Sequence, residues 1–366
     1  MSRKKRPIGV DLFCGVGGMS LGFEQAGFDI IAAVDFDDIN VETHKKNFPK
    51  CETVRGDLST MTGAEIRKET KMGNRQIDLL FGGPPCQGFS LIGKRDSSDP
   101  RNKHLQSFAR LVDELAPSYF VVENVAGLLL GNAEKQLRKF IRAVKRAGYS
   151  VVEPVKILDA SQFGVPQRRK RVFILGYRKG LTAPAYPEPT HGDEFKKTPT
   201  VRDAIGDLPD VEKCDALFTH DTYEGPLGKP SPYARVLRGN PKKQPVLTGC
   251  LRTRHKEEIA KRFHATKPGT SEAVSRYYRL SSEGISVTIR AGTGPDKGSF
   301  MAPRPIHPEQ DRCITVREGA RLHSFPDWFC FHNTKWHGFR QIGNSVPPFL
   351  ARAVGRAIHE ACKPRV

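Results

Sequence analysis

A single cysteine, Cys86, sits behind two prolines and between glycines in the stretch FGGPPCQGFS, residues 81–90, directly after the apolar run Ile77–Phe81. A strand that ends in a rigid turn and carries one thiol at its tip presents a nucleophile. Pro84 and Pro85 fix their own φ and push the residue before each toward extended backbone. Gly82, Gly83 and Gly88 let backbone or ligand approach closely. The alternative is a buried structural thiol, because free cysteine is among the most buried residue types.

Three other pieces of chain carry groups of matching chemistry. Glu123, in Val121-Val122-Glu123-Asn124-Val125, ends the next apolar strand. A carboxyl at such a tip is partly desolvated, which raises its pKa and suits it to act as an acid near neutrality; a helix cap or an ion pair is the plainer role. In Gln167-Arg168-Arg169-Lys170-Arg171, Arg169 and Arg171 point the same way if the segment is extended. They could anchor an anion or a base edge, or form solvated surface. The loop Asp11-Leu-Phe-Cys-Gly15-Val-Gly17-Gly18 follows a strand and opens a helix, so a cofactor can lie against its backbone. It lacks the Gly-Lys-Ser/Thr of a phosphate loop and falls short of GxGxxG. With Asp35 placed for a ribose diol and Asp57 for an adenine amino group, it points to adenosine without a pyrophosphate.

The elements that must position these groups alternate through residue 178. Strands are expected at Ile8–Phe13, Ile30–Val34, Thr53-Val54, Ile77–Phe81, Tyr119–Val122, Val151–Leu158 and Val172–Tyr177. Helical spacing marks Gly17–Gly27, Ile39–Phe48, His104–Ala116 and Ala133–Ala147. The last two strands are close enough to pair antiparallel. This is the pattern of a doubly wound, mostly parallel α/β sheet, whose ligands sit at the carboxyl ends of strands. Residues 178–310 are rich in Pro, Gly, Lys and Arg and read as a smaller, loop-rich domain. Regular structure returns at Thr315–Leu322 and Pro348–Cys362.

The 366 residues carry a net charge of +19, which implies a polyanionic partner, most simply nucleic acid. Between Ser231 and Leu280, twelve Lys/Arg face three Glu, the mark of a phosphate-facing surface. Eight scattered cysteines without a CxxC pair suggest reduced thiols rather than a disulfide or zinc scaffold, and no metal is expected. No apolar run approaches the ~20 residues of a membrane span, and the basic start MSRKKRP leads into Ile-Gly-Val-Asp rather than a signal core.

Taken in order, DLFCGVGG, FGGPPCQGFS, ENV, QRRKR, RCITVREGARLHSFPD (residues 312–327) and QIGNSVPP (residues 341–348) resemble the DNA (cytosine-5) methyltransferases of the bacterial restriction–modification type. The resemblance spans nearly the whole chain except 179–305. It implies a class I S-adenosylmethionine-dependent methyltransferase fold, Rossmann-like, with residues 1–178 as catalytic and cofactor-binding domain, 179–305 as target-recognition domain and 306–366 as a return segment completing the catalytic domain. It further implies that Cys86 attacks carbon 6 of a flipped cytosine, that Glu123 holds or protonates ring nitrogen 3, and that Arg171, with Arg169, fixes the base oxygen and the site geometry. Phe13, Gly15, Gly17, Gly18, Asp35, Phe36, Asp57, Leu58, Pro85, Leu105, Asn344 and Ser345 map onto the S-adenosyl-L-methionine pocket, with S-adenosyl-L-homocysteine as product. At the ribose position the family often has glutamate; here it is Asp35, one methylene shorter.

The same resemblance makes Gly88–Lys103 a loop that closes on DNA, with Gln87 and Ser90 near the vacated base. Arg252, Arg254, Arg276, Arg279 and Arg290 are candidates for contacts to double-stranded DNA, with the tip Ala291-Gly-Thr-Gly-Pro beside them. A cytoplasmic, nucleoid-associated monomer is expected, with a cognate restriction endonuclease acting separately. RNA-modifying members of the scaffold carry a Cys-Phe-Thr tripeptide that this chain lacks. A nucleic-acid-binding protein with a dead site is a second alternative, and intact Cys86, Glu123, Arg169 and Arg171 speak against it; a methylation-independent architectural protein would explain the charge but not the GxGG and Pro-Cys loops.

Overall fold

The computed structural model describes residues 6–85, 103–239, 246–292 and 304–363. They fall into two compact units: residues up to 159, 170–188 and from 350 onward form the first, and residues 160–169 with 189–349 form the second.

The first unit is an eight-stranded sheet flanked by helices. Its strands are β1 (Ile8–Leu12), β2 (Asp29–Asp35), β3 (Glu52–Arg55), β4 (Leu79–Gly82), β5 (Tyr119–Val125), β6 (Tyr149–Val151), β7 (Lys156–Asp159) and β8 (Lys170–Arg178). The order is β3-β2-β1-β4-β5-β8-β6, with β7 also pairing β8. Pairing is parallel from β3 through β5 and antiparallel at β8. The expected single strand Val151–Leu158 is in fact two, β6 and β7, lying end to end along β8. Pro154, which has no N–H to give a ladder, falls in the gap between them.

Helices α1 (Gly18–Ala26), α2 (Asp38–Asn47), α3 (Gly63–Glu69), α4 (Lys103–Leu115) and α5 (Gly131–Arg146) connect the strands. α1 ends on Gly27 at φ 110°, whose N–H returns to the carbonyls of Glu24 and Phe23. Apolar spacing does not announce α3, yet it opens on a capping box in which Thr62 and Glu65 bond reciprocally. The core beneath α4 and α5 is aromatic: Phe120 on β5 meets the edge of Phe140 at 5.9 Å and of Tyr149 at 5.7 Å.

The second unit is built on short helices and buried charge rather than on a sheet. Its helices are α6 (Val201–Ile205), α7 (Pro232–Arg238), α8 (Glu257–Ala265), α9 (Val316–Leu322) and α10 (Lys335–Asn344). α9 is buried along its whole length, charged residues included. Arg321 is fully buried and bonds Asp327 (2.7 Å), Asp207 (3.1 Å) and the Ala204 carbonyl (3.0 Å). Arg317 spends its guanidinium on the carbonyls of Thr248, Pro326 and Phe329. Arg312 grips Glu318 with two bonds of 2.9 and 2.7 Å. Residues 306–349 therefore pack with the second unit, not with the sheet as the expected boundary at 306 had it; these ion pairs tie α9 to segments around 204–207 and 248. Only the last helix, α11 (Pro348–Ala361), returns, from Leu350 onward, to the first unit. There Gly355 allows Phe23 and Ala26 of α1 to come close, and Tyr119 donates to the Ala361 carbonyl at 2.8 Å.

Although burial alone would raise it, the Glu318 carboxyl is held down at about 2 from an ordinary 4.5 by the Arg312 charge and its hydrogen bonds. A depressed carboxylate stabilises the fold above its unfolded pKa and loses that contribution as pH falls. Glu318→Gln should therefore cost about 3 kcal/mol at pH 7 by removing the nearer of the two carboxylates that pair buried Arg312 and leaving only Glu212 at 3.5 Å. The gap to the parent protein should narrow as pH drops from 4.5 toward 2, as read by denaturant titrations across that range.

Candidate active site

Register decides which side chains meet. Leu12 on β1 pairs Gly82 on β4, and Gly82 pairs Val122 on β5. The next residue of each strand, Phe13, Gly83 and Glu123, therefore emerges at one edge of the sheet. Leu12 also pairs Val34, so Asp35 leaves β2 at the same level. β1 and β4 are neighbours whose connections run off in opposite directions, which makes this edge a topological switch point, where open α/β sheets bind ligands.

The loop after β1, the candidate cofactor loop, turns through three left-handed residues. Phe13, Gly15 and Gly17 have φ of 59°, 54° and 94°. A side chain at Gly17 would strike His44 and Phe48, whereas the space beside Gly15 is open. The Gly15 amide donates to Asp35 at 2.8 Å, tying the loop to the end of β2. Asp35 also accepts from Asp37 and Asn40. Burial pushes its carboxyl up, and the Asp37 and Gly15 amides only partly offset this. Next to it Phe36 is 65% exposed, with the Arg55 guanidinium 5.6 Å from its ring centre, an open apolar platform beside a carboxylate.

Beneath the loop runs a buried polar chain that motif spacing does not announce. Ser20 donates to Asp11 at 2.6 Å, its hydroxyl lies 3.2 Å from His44 Nε2, and His44 Nδ1 lies 2.7 Å from Thr53 Oγ1. Because Ser20 spends its one proton on Asp11, Nε2 is the N–H end of His44 and Nδ1 accepts from Thr53. Burial drives the His44 pKa down to about 3, so the ring is neutral, and pushes Asp11 well above the usual carboxylate range. The chain locks β1, α1, α2 and β3 together without a fixed cation.

Opposite the loop, Glu123 and Arg171 form an ion pair at 2.8 Å with little exposure, across the antiparallel β5–β8 pair. Any side chain on Gly83 would lie 3.0 Å from Glu123 Oε2, so the carboxylate covers the backbone that leads into the Pro-Pro turn. Asn124 is buried, and its amide donates to the Pro84 carbonyl at 3.2 Å. Asn124 is thus the anchor of that turn, a role its place in the Glu-Asn-Val block could have suggested. Cys86, Gln87, Ser90 and the expected closing loop lie outside the described residues; Pro85 is the last one described before them and is exposed.

The remaining expected site residues are placed as follows. Arg169 is 1% exposed and belongs to the second unit. It donates to the backbone carbonyls of Ile289 (3.1 Å), Gly343 (2.7 Å) and Ser345 (2.8 Å), so it is a positioning residue. Asn344 is exposed and Ser345 buried, both in that unit. Leu58 and Leu105 are buried in the core under the sheet. Asp57 accepts from the Ser59 amide and hydroxyl at 2.9 and 2.7 Å, which holds its carboxyl below the usual range. Arg279 is buried against the carbonyls of Phe263 and Pro308 and beside Asp311, and Arg252 is spent on the Val211 and Glu212 carbonyls and the Glu212 carboxylate. Neither is available to DNA. Arg254, Arg276 and Arg290 are exposed. Among the described residues no group of His, Cys, Asp and Glu is arranged to hold a metal ion.

Comparison with known proteins gives consistent likenesses. The model of the C-5 cytosine-specific DNA methylase family matches residues 9–360. The Type II methyltransferase M.XorII of Xanthomonas oryzae pv. oryzae is 53% identical over 98% of this chain and 86% of its own length. The Type II methyltransferase M1.HphI of Haemophilus parahaemolyticus is 34% identical over 95% of this chain and 86% of its own. An E. coli prophage protein described as a DNA modification methyltransferase superimposes with a TM-score of 0.81 at 34% identity, covering 97% of this chain and 99% of the other.

Replacing Asn124 with Ala should free the Pro84 carbonyl while leaving the candidate cofactor loop at β1 and β2 intact. Turnover should fall by about 10- to 100-fold, the usual result of sub-ångström misplacement of a reacting group. Affinity for S-adenosylmethionine, measured by calorimetry, should stay unchanged.

Proposed function

Because the chain belongs to the C-5 cytosine-specific DNA methylase family, we propose that it methylates carbon 5 of a cytosine in duplex DNA through a covalent adduct with Cys86. The observation that carries this reading is the Glu123–Arg171 pair, which overlies the backbone feeding the Pro-Pro-Cys turn. The target atom is stacked inside a duplex, so the base must be extruded at a cost of a few kcal/mol.

The cradle at the β1 and β2 tips fits S-adenosylmethionine. The open space at Gly15 admits the amino-acid part, Asp35 suits the ribose hydroxyls, and exposed Phe36 offers a face for adenine. That molecule supplies an electrophilic methyl group. The protein's own groups do the rest. The Cys86 thiolate adds to carbon 6, and Glu123 in its protonated form, steered by Arg171, gives its proton to ring nitrogen 3. Negative charge built on the ring is thereby steadied while carbon 5 takes the methyl. Loss of the carbon 5 proton then re-forms the double bond and expels the thiolate. A free thiol is only a few per cent ionised at pH 7, and positive charge beside a thiol raises that share.

The Type II names of the similar proteins support a role as the modification partner of a restriction endonuclease that acts separately. In this reading the variable segment 179–305 recognises the target, with exposed Arg254, Arg276 and Arg290 facing DNA and the enzyme working as a monomer. Cys86→Ser should abolish methyl transfer while retaining duplex binding. Duplex carrying 5-fluorocytosine at the target should trap the parent protein in a denaturation-resistant complex with S-adenosylmethionine and should fail to trap the variant. Undiminished turnover by Cys86→Ser, read by bisulfite sequencing, would reject the nucleophile.

A further inference from the structure

In the second unit, a cavity of about 590 Å³ is lined by Phe218, Arg252, Arg254, His255, Glu212 and Asp311, among others. Its acidic groups are already spent. Glu212 pairs Arg252 at 3.0 Å and Arg312 at 3.5 Å, and Asp311 pairs Arg279 at 3.3 Å and His264 at 3.0 Å. Several cations beside it have no such partner among the described residues. Arg254 stacks on the Phe218 ring at 4.5 Å, on a ring whose other neighbour is Arg252 at 3.6 Å, and makes no ion pair among them.

Behind His255 the imbalance deepens. Arg304 lies over Phe339, 5.0 Å from the ring centre, and its buried Nε has no hydrogen-bond partner among the described residues. Lys335 reaches the Arg252 carbonyl, at 3.1 Å. Among the described residues no carboxylate pairs with either side chain. The Cys313 thiol lies against the Arg304 carbonyl, the Cys313 amide donates to His255 Nε2 at 3.1 Å, and Lys335 bonds the backbone three residues before His255, so the segments that carry these side chains meet around His255. With Nε2 accepting, His255 carries its proton on Nδ1 and is a neutral donor. Burial and the charges of Lys335, Arg304 and Arg312 hold its pKa below the ordinary value. Burial lowers Arg304 and Lys335 as well, with repulsion from Arg304 adding to the effect on Lys335. Gathering unpaired cations is costly unless an anion completes the set.

We propose that Arg254, His255, Arg304 and Lys335 form a phosphate site on the second unit that takes a phosphodiester of the DNA backbone. The proposal rests on DNA being the substrate. A backbone phosphate is a singly charged anion with two free oxygens, which suits two or three donors; Arg254 and His255 line the cavity itself, and Lys335 bonds the carbonyl of Arg252, another lining residue. Such a contact fixes position on the duplex and carries no base preference.

The test uses the full chain saturated with S-adenosylmethionine and a duplex containing the methylated site, with binding measured from 50 to 200 mM salt. Each phosphate that the protein ceases to neutralise should lower the slope of log K against log salt by about 0.9. Arg304→Gln with Lys335→Met should flatten it by that amount or more and raise KM for DNA. Arg304→Lys with Lys335→Arg should restore it. Should the neutral pair fail to bind S-adenosylmethionine, exposed Arg254→Gln decides by the same slope. An unchanged slope in a variant that still binds S-adenosylmethionine overturns the site. Tight binding of inorganic phosphate by the parent, with a slope indifferent to substitution, would make it a free-anion site and overturn the DNA assignment. A slope that falls while the parent transfers no methyl to DNA would support the site and refute the reaction.

Discussion

Parallel pairing in register across β2, β1, β4 and β5 is the constraint on which the catalytic half of the molecule depends. Register in a parallel sheet aligns residues that are far apart in sequence, and a one-residue slip turns every side chain to the opposite face. Here Leu12, Gly82 and Val122 stand abreast. The cofactor loop, the Pro-Pro turn and Glu123 then begin together at one edge. Shifting any one strand would send Glu123 into the helices or turn the loop at Phe13 away from Asp35.

Around that edge the polar groups divide by mobility of charge. Under the cradle, Asp11, Ser20, His44 and Thr53 bond one another with a neutral ring at the centre, so the loop is held without a cation that could compete for the ligand. Across the turn, Glu123 and Arg171 pair at 2.8 Å. A weakly hydrated, planar guanidinium is suited to hold a carboxyl group in one orientation. The second unit extends the use of arginine further: Arg169, Arg312, Arg317, Arg321 and Arg279 are buried fasteners of backbone and carboxylate, replacing the apolar sheet core that its composition does not provide.

That use of arginine explains where the sequence is readable and where it is not. The sheet and its helices are legible because period and glycine punctuation coincide, as at Leu105–Leu115 and Gly27. The Asp35 and Glu123 positions are legible because strand ends are. α3 escapes a search for apolar stripes, although Thr62 and Glu65 announce its start. The strand split at Pro154 is missed when only apolar content is weighed. Arginines are the hardest case. Arg254 and Arg279 stand in the same basic stretch, but one is exposed and the other is enclosed by Phe263, Pro308 and Asp311. Charge counts the guanidinium groups; only the fold says which have carbonyls waiting for them. Lys335 and Arg304 lie outside that stretch altogether, so local charge density gives them no weight.

The path of the chain around Arg169 bears on how such a protein could be recombined. Residues 160–169 precede β8 in sequence but pack with 189–349. Gln167 bonds His323 at 3.0 Å and the Leu322 carbonyl at 3.3 Å, and Arg169 spans Ile289 and Gly343. The second unit is therefore held by a decapeptide that a cut at residue 179 would leave behind. A chimera that borrows only the variable segment would inherit a foreign clamp at both ends. Exchange boundaries that keep 160–169 with their carbonyl partners preserve the fasteners, so compatibility of that short peptide, more than the length of the insert, sets which foreign segments the fold can accept.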